Sequence, residues 1–543
     1  MVDAPPLWSI LPREKPPPRG AEEVGNKAFN LMRMASAGLP VPPGFVLPVR
    51  WCGLPRDTPA NAEALRAALA DGIGRVEAAT GLGFGSSRRP LLVSVRSGAA
   101  VSMPGMMETV LDIGLNAETV EGLIRLTGNP RLAWDSFRRL AQGYAEVVAG
   151  LPLEPFDTLL HEAVEAAGVD NERELDHRAS RDLTHRMLSC YQELAGEPFP
   201  ADPRVQLARA AEAVFRSWDA PKCKAWRALK GLDNRAGTAV TVQTMVYGNA
   251  GGKSGAGVGF TRDPATGERR FYYDFQFNAQ GEDVVAGRHA PRDNALLPRL
   301  LPDVWRQLET TCHELEALFG DAQDFEFTVQ SGRLHLLQTR DAKRTPWAAV
   351  RIAVDMVEDG LTRPEDALRR LAGIDLSSVA LTRFAPKPAE PLAVAQVASV
   401  GVACGAIALD PAAARKLAAS GVPVILLRHE TSTADIDGIA IAEGIVTATG
   451  GRTSHAAVVA RQLGKVCLVS CATLRTDERT RTVRIGEREL AEGDFISIDG
   501  NDGAIYAGPS TIVTERPERE LAVIETWRTT ATPRQRAKTH AGP

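Results

Sequence analysis

The spacing of hydrophobic and polar positions changes several times along the chain, and these changes divide the chain into regions. After a Pro-rich start, the pattern predicts a helix around Lys27 to Met34 and a buried strand at Leu91 to Val95. From about residue 116 to 232 the pattern is mostly helical, as in 133–150, where apolar residues recur at intervals of three and four. Between 238 and 340 the pattern becomes strand-rich.

The second half of the chain begins with two amphipathic helix candidates at 351–360 and 363–373. Three prolines then fall within six residues of the segment 383–392, which favours an extended spacer and predicts a hinge between domains. A compact α/β unit is predicted over 393–508. The tail has a short amphipathic segment at 518–527, and its basic, Pro-containing end is predicted to be disordered.

One stretch, 392–409, carries no charge over eighteen residues, which is long enough to raise the question of a membrane span. It consists mainly of Ala, Val, Gly, Ser and Gln, whose transfer energies are too small to hold a span. The stretch is therefore predicted to form short buried strands with turns, and no membrane partner is expected.

Composition narrows the function classes. The 543 residues include 63 Lys and Arg against 67 Asp and Glu, a net charge of −4, which excludes a generally basic protein that coats nucleic acid. Seven cysteines occur without a CxxC pair, so neither a disulfide framework nor a thiolate zinc site is indicated. Residues 1–20 lack an apolar signal-peptide core. A cytoplasmic location is expected.

The segment 447–471 carries the most specific candidate chemistry. A strand runs into Gly450 and Gly451, and a Thr or Ser cap candidate then precedes a helix whose first turn contains His455. Backbone N–H groups are unpaired at a helix start and favour an anion, so a phosphoryl group on this imidazole would meet hydrogen-bond donors. Taken alone, a histidine in this position is more often a surface or capping residue.

Two further patterns suit a phosphate site. Arg96 follows a buried strand and precedes a loop rich in Ser, Gly and Met, where a guanidinium can clamp phosphate or serve as a structural ion-pair partner. Asp324 and Glu326 are two apart in a predicted strand, so both carboxylates share one face and suit Mg²⁺. The alternative for this pair is a solvated strand face.

A glycine-rich stretch at 248–260 is similar to a Walker A loop at first sight. That motif needs glycine at position 247, which is Tyr247 here, so the stretch is predicted to be a glycine-rich hairpin. The segment 323–340 is predicted to be a second hairpin, with its turn at Ser331 and Gly332.

The string GGRTSHAAVVARQLGK around His455 closely resembles the phosphohistidine signature of phosphoenolpyruvate-utilising enzymes, and above all the pyruvate, phosphate dikinase family. The strings GTAVTVQTMV, GFTRDPATGE, NAQGEDVVAG and LLQTRDAKRT resemble the nucleotide-binding domain of that family. The resemblance implies an α/β multidomain protein. It implies an ATP-grasp nucleotide-binding domain at 21–340 with a helical insertion at about 116–232, a helical connector and hinge at 341–392, and a swivelling phosphohistidine domain at 393–508.

The resemblance also implies a role for each matching residue. His455 becomes the phosphoryl carrier, and Thr453 matches a threonine that is a regulatory target in plant members; its alternative reading is a helix cap. The resemblance assigns nucleotide binding to Lys27, Arg96, Gly105, Gln338 and Arg340. Of these, Lys27, Arg96 and Arg340 would contact the phosphates, the two arginines would also be catalytic, and Gln338 would lie at the nucleotide or the metal. Magnesium binding is assigned to Asp324 and Glu326.

Three departures from the family bear on function. Gly25-Asn26-Lys27-Ala28 stands where the family usually has Gly-Gly-Lys-Gly. The middle of the glycine-rich hairpin, which is usually acidic in the family, is Gly252-Lys253 here. Thirty-five residues after Gly508 are too few for the family's C-terminal barrel of about 250 residues.

The expected activity is a dikinase half-reaction, in which ATP and inorganic phosphate yield AMP, pyrophosphate and a phosphorylated His455. The acceptor is then pyruvate on a separate barrel subunit or another small molecule, and a homodimer stays open. Two alternatives also stay open: a regulatory phosphocarrier that is phosphorylated by a partner, and an inactive scaffold.

Overall fold

The structure of the chain, a computed structural model, describes residues 5–16, 20–55, 58–100, 108–231, 237–281, 296–388, 390–431, 435–450, 455–477 and 479–538. The helices of these residues are α1 Ala21–Val24, α2 Asn26–Ser36, α3 Pro59–Thr80, α4 Thr119–Thr127, α5 Pro130–Val147, α6 Glu154–Ala167, α7 His177–Ala195, α8 Pro203–Ser217, α9 Pro221–Lys230, α10 Leu297–Leu300, α11 Pro302–Phe319, α12 Pro346–Glu358, α13 Pro364–Leu371, α14 Pro411–Ala419, α15 Ile436–Ile441, α16 His455–Gln462 and α17 Glu518–Lys538.

The strands of the same residues are β1 Trp8–Ile10, β2 Gly44–Leu47, β3 Gly83–Phe84, β4 Pro90–Leu91, β5 Val93–Gly98, β6 Thr109–Ile113, β7 Ala239–Thr244, β8 Gly255–Phe260, β9 Tyr272–Phe277, β10 Gln323–Gln330, β11 Arg333–Asp341, β12 Leu381–Phe384, β13 Ala393–Val394, β14 Gln396–Ser399, β15 Val402–Ala408, β16 Val424–Arg428, β17 Gly444–Thr447, β18 Val466–Val469, β19 Arg475–Asp477, β20 Thr482–Ile485, β21 Arg488–Ala491, β22 Phe495–Asp499, β23 Ala504–Ala507 and β24 Ile512–Glu515.

The first sheet is antiparallel and has the strand order β1-β2-β7-β5-β6. One of its faces, which includes Val95 and Val242, is buried against helices of the predicted helical region. That region is confirmed as α4 to α9. Helix α5 begins where the sequence allows it, because Pro130 occupies the first turn and the side chain of Asn129 accepts a hydrogen bond from the N–H of Leu132.

The second sheet is also antiparallel, with the strand order β11-β10-β8-β9. Phe325 and Phe327 point from β10 into a core that contains residues of α2 and α11. The strand-rich prediction for 238–340 is therefore confirmed for most of the region, but it does not include helix α11, which lies within it. The hairpin of β10 and β11 turns at Ser331 and Gly332 as predicted, and both residues have positive φ, 50° and 77°.

The glycine-rich stretch forms a turn followed by strand β8, so its glycines are part of a sheet and do not precede a helix. Gly257 of β8 lies opposite Phe275 of β9, and a Cβ on Gly257 would lie 2.7 Å from Cε1 of Phe327. A Cβ on Gly259 would lie 2.5 Å from Cε2 of Phe271. The alternating glycines leave room for aromatic rings on the core side of the sheet. The prediction of a hairpin within 248–260 is wrong, because this stretch contains a single strand, β8, whose partners are β9 and β10. The rings explain why that strand is rich in glycine.

The connector consists of α12 and α13, which confirm the two amphipathic helices predicted there. The prediction of an extended Pro-rich spacer over 383–392 is wrong for its first two residues. Arg383 and Phe384 belong to β12, which pairs antiparallel with β24. The following helix α17 packs on α12 and α13, where Ile524 is 1% exposed. This helix contains the amphipathic segment 518–527 and continues to Lys538, into the part of the tail that is predicted to be disordered.

The C-terminal α/β unit, strands β13 to β23 with α14 to α16, is built on a sheet of order β13-β23-β22-β15-β16-β17-β18-β14. Strands β15 to β18 run parallel to one another, and the others are antiparallel to their neighbours. Both faces are buried, which explains the uncharged stretch 392–409 as strands, as predicted. No helix among the described residues is long and apolar enough to cross a bilayer.

Candidate functional site

The polar face of the β10–β11 hairpin carries four of the residues singled out in the sequence. Asp324 lies opposite Arg340, and Glu326 lies opposite Gln338. Directly opposed residues of antiparallel strands project from the same face, so these side chains share one surface. Phe325 and Phe327, at the alternate positions of β10, point to the core instead. The structure thus brings both carboxylates to one face, as their spacing predicts.

An ion pair joins the two strands at this face. Nε of Arg340 donates a hydrogen bond to Oδ2 of Asp324 over 2.7 Å. Asp324 is only 6% exposed, and burial raises its pKa above the usual value, although Arg340 opposes that shift. A buried carboxylate whose charge is costly is a group that gains from a nearby cation.

Lys27 reaches the same region from the second position of helix α2. Burial lowers the pKa of Lys27 from 10.5 to about 8. The positive charges of Arg96 and Arg340 lower it as well, and the negative charge of Glu326 raises it. Lys27, Arg96, Asp324, Glu326 and Arg340 therefore form one charged cluster, whose members come from α2, β5, β10 and β11.

The approach of α2 to β5 depends on a close contact between two glycines. Gly25 has a φ of 79°, and a Cβ at this position would overlap the carbonyl oxygen of Gly98. The N–H of Asn26 donates to the carbonyl oxygen of Ala99 over 3.0 Å. These contacts hold the first turn of α2 against the end of β5, which places Lys27 beside Arg96.

The donor set fits magnesium by its chemistry. Mg²⁺ takes oxygen ligands, keeps several waters and is seldom enclosed by protein side chains alone. Two carboxylates and the amide oxygen of Gln338 on one face meet that requirement. Among the described residues no group of three or more His, Cys, Asp or Glu side chains could hold a metal.

His455 is the first residue of helix α16, as predicted from the segment around it. The helix follows β17, whose neighbours β16 and β18 run parallel to it, so its start lies at the carboxyl edge of parallel strands. The preceding loop is attached to those neighbours: the N–H of Thr449 donates to the carbonyl oxygen of His429 over 3.0 Å, and the hydroxyl of Ser470 donates to the carbonyl oxygen of Gly450.

Two predicted site residues, Gly105 and Thr453, lie outside the described residues. Two polar residues that the sequence reasoning did not single out also lie near the charged cluster. Thr241 and Gln243 on β7 are buried, and Oγ1 of the first and Oε1 of the second have no hydrogen-bond partner among the described residues. Polar residues at alternate positions of an otherwise apolar strand are the signal that could have revealed them.

Comparison with known proteins identifies two families. The family described as "Pyruvate phosphate dikinase, AMP/ATP-binding domain" matches residues 61–301, and the family described as "PEP-utilising enzyme, mobile domain" matches residues 421–503. The first match covers most of the N-terminal sheets and their helices, and the second lies within the C-terminal α/β unit.

Curated relatives align over most of the chain. A pyruvate, phosphate dikinase of Clostridium symbiosum is 42% identical over 490 residues, which are 89% of this chain and 56% of that protein. The chloroplastic pyruvate, phosphate dikinase 1 of Zea mays is 41% identical over 510 residues, 93% of this chain and 54% of that protein. A Rhizobium meliloti relative of the same name is 40% identical over 523 residues, 93% of this chain and 58% of that protein. The chain spans about half the length of these relatives.

Proposed function

The chain belongs to the pyruvate, phosphate dikinase family, and we propose that it uses ATP to phosphorylate its own His455. The observation that carries this proposal is the charged cluster, in which two arginines and a lysine lie beside two carboxylates on three separate parts of the fold. Such a cluster suits a polyphosphate with its metal ion, because it combines donors for phosphate oxygens with oxygen ligands for magnesium.

The fold assignment is part of the proposal. We assign the two antiparallel sheets and the helices between β6 and β7 to an ATP-grasp nucleotide-binding domain with a helical insertion, over residues 21–340. The C-terminal α/β unit is assigned to a swivelling phosphohistidine domain over 393–508. The connector and hinge occupy 341–392.

Each residue of the charged cluster has a proposed role. Lys27, Arg96 and Arg340 hold the phosphates, and the two arginines stabilise the negative charge that develops during transfer. Asp324 and Glu326 hold magnesium, with Gln338 at the metal or the nucleotide. The metal, when bound, screens the phosphate charges and orients the reacting phosphoryl group. Gly105 is proposed to lie at the nucleotide as well.

The chemistry at His455 is nucleophilic. A neutral imidazole nitrogen attacks the β-phosphorus of ATP, the bond from that phosphorus to the oxygen shared with the α-phosphate breaks, and AMP leaves. Inorganic phosphate then takes the terminal phosphoryl group from the histidine-bound pyrophosphoryl group, and pyrophosphate leaves. The remaining phosphohistidine would benefit from the unpaired N–H groups at the start of α16.

The second half of the reaction requires an acceptor. We propose that it is pyruvate, bound on a barrel carried by a separate polypeptide, or another small molecule. The carrier unit would reach it by turning at the hinge near Pro386. A cytoplasmic location and a homodimer belong to the same proposal, and Thr453 is proposed as a helix cap or a regulatory target.

The deciding experiment measures products. The purified chain is incubated with Mg-ATP, with and without inorganic phosphate, and AMP, pyrophosphate and acid-labile protein phosphate are quantified. His455→Ala should abolish phosphate-dependent pyrophosphate release and the acid-labile phosphate. His429→Ala, which removes an exposed histidine of the same unit, is the matched control and should retain both.

Other outcomes would contradict the proposal. ADP as the sole nucleotide product would exclude a dikinase half-reaction. Phosphorylation only by an added protein partner would favour a regulatory phosphocarrier, and no turnover would favour a scaffold. Adding pyruvate then tests whether phosphoenolpyruvate forms.

A further inference from the structure

Two buried oxygen atoms on strand β7 lack a hydrogen-bond partner among the described residues: Oγ1 of Thr241 and Oε1 of Gln243. The two residues are 0% and 1% exposed. A buried polar atom without a partner costs folding free energy, and native proteins hold few of them. Two such atoms at alternate positions of one strand therefore call for an explanation.

Strand register places both side chains on the face that also carries Arg96. Thr241 lies directly opposite Arg96 of β5, and Gln243 lies opposite Ser94. The intervening Val242 belongs to the core on the other face, with the helical region. Ala239, which shares the face of Thr241, packs into the core that contains residues of α2. Thr241 and Gln243 thus face α2.

The neighbourhood of Thr241 includes the start of α2. A Cβ on Gly98 would lie 3.9 Å from Oγ1 of Thr241 and 4.0 Å from Cα of Gly25. Lys27 follows Gly25 by two residues, and the charge of Arg96 acts on Lys27. Thr241 therefore lies beside the start of α2 and opposite Arg96, and Gln243 is two residues further along the same face of β7.

The side chain of Gln243 is fixed in place. Its Nε2 donates to the carbonyl oxygen of Pro42 over 3.0 Å, which settles which end of the amide remains without a partner. Gly44 is directly opposite on β2, where a Cβ would lie 3.3 Å from Cβ of Gln243, so the absence of a side chain there gives the amide its room.

The chemistry of the two oxygens limits which groups can be their hydrogen-bond partners. The amide oxygen of Gln243 only accepts hydrogen bonds, and phosphate oxygens do not donate them at neutral pH, so a phosphate cannot be its direct partner. An ammonium or a guanidinium can, because Lys and Arg side chains carry several donors. Lys27 and Arg96 carry such donors: Arg96 lies opposite Thr241, and Lys27 is in the first turn of α2, which this face of β7 meets.

We propose that Thr241 and Gln243 are positioning residues of the nucleotide site, whose oxygens accept hydrogen bonds from Lys27 and Arg96 when these cations turn onto the phosphates of ATP. This inference rests on the proposed function. In the free protein the two oxygens lack partners, which lowers the free energy of unfolding. In the nucleotide complex they orient Lys27 and Arg96 toward the phosphates.

The test is Thr241→Val, which removes the hydroxyl and keeps the shape of the side chain. Mg-ATP binding is measured by calorimetry from pH 6.5 to 9.5, and the melting temperature is measured without ligand. We expect about tenfold weaker binding at pH 7, the loss of one hydrogen bond to a charged group, and a melting temperature that is equal or higher. The pH at which binding falls by half should move down, since the lost acceptor favours the charged form of Lys27.

Two variants serve as controls. Thr241→Ser keeps a hydroxyl and should restore wild-type affinity. Ser136→Ala removes another buried hydroxyl that has no partner in the described part of the chain, on α5 in the helical region. This variant should leave affinity and its pH dependence unchanged.

The outcomes separate this inference from the proposed function. Equal affinity of the wild type and Thr241→Val overturns the inference alone, and so does a melting temperature that falls on loss of the hydroxyl, which would indicate a structural partner. No Mg-ATP binding by the wild type overturns the proposed function and this inference with it.

Discussion

Arg340 and Asp324 face each other across strands β11 and β10, and Nε of the arginine donates to Oδ2 of the aspartate over 2.7 Å. The arginine is 43% exposed at its side chain and the aspartate 9%, so the pair joins a buried carboxylate to a cation that solvent can still reach. In the proposed function the carboxylate of this pair binds the metal ion and the guanidinium binds a phosphate.

Arg340→Met should weaken Mg-ATP binding at least tenfold. The substitution removes the guanidinium that is proposed to donate hydrogen bonds to the phosphates, and it leaves the Asp324 carboxylate without its partner. Calorimetry with Mg-ATP measures the effect. Arg333→Met changes an exposed arginine of the same strand and should bind like the wild type. Equal affinity of both variants would remove Arg340 from the site.

Lys27 should make nucleotide affinity depend on pH. Its pKa of about 8 means that the ammonium loses its proton as the pH rises through 8, and the attraction to phosphate is lost with it. Affinity should therefore be highest below pH 8 and fall above it. Lys27→Met should bind weakly at every pH, and Lys416→Met, an exposed lysine of the C-terminal unit, should keep the wild-type profile.

The same lysine should affect stability in the opposite direction. Its pKa is lower in the folded protein than the 10.5 of an exposed lysine, so between these values the unfolded chain binds more protons and stability from this group rises with pH. Below pH 8 the buried charge is a cost, and Lys27→Met should raise the melting temperature at pH 7. A lower melting temperature would contradict the assignment of that cost to burial.

Gly257→Ala should destabilise the second sheet by about 1–3 kcal/mol, because the added methyl group would meet the ring of Phe327, with Cε1 at 2.7 Å. Urea unfolding measures the loss. Gly252→Ala is the control, since a Cβ there meets nothing within 4 Å. Equal stability of the two variants would mean that the aromatic rings can move aside.

Ile524→Ala should loosen α17 from the connector at a cost of about 2–4 kcal/mol, since the side chain is 1% exposed among residues of α12 and α13. Amide hydrogen exchange over α17 and β24 should speed up. Glu525→Ala, at the neighbouring exposed position, should leave exchange nearly unchanged. Unaltered exchange in both would show that the tail is held by other contacts.

Local patterns predicted local structure well. The turn at Ser331 and Gly332, the strand pair around it and the shared face of Asp324 and Glu326 all follow from alternation and turn chemistry within eighteen residues. The start of α16 at His455 follows from the strand, glycines and helix pattern around it. The signal for α11 was also present, since Val304, Leu308 and Leu315 repeat at helical spacing within a region assigned to strands.

Long-range relationships could not be predicted in this way. The pairing of Leu381 with Glu515 joins residues more than a hundred positions apart, and no period or turn in either segment encodes the partner. The same holds for Thr241 and Arg96, whose opposition depends on how β5 and β7 meet in one sheet. Prolines near Pro386 suggested an unpaired spacer, but partner strand β24 was available to hydrogen-bond the residues before them.

The ribbon of β12 and β24 brings together the two segments that connect the C-terminal unit to the rest of the chain. Since Leu381 lies beside Glu515, the chain departs from the connector and comes back to it at the same place. Domains whose two ends are adjacent tolerate insertion, replacement and circular permutation, because these changes need not move the domain to which they are connected.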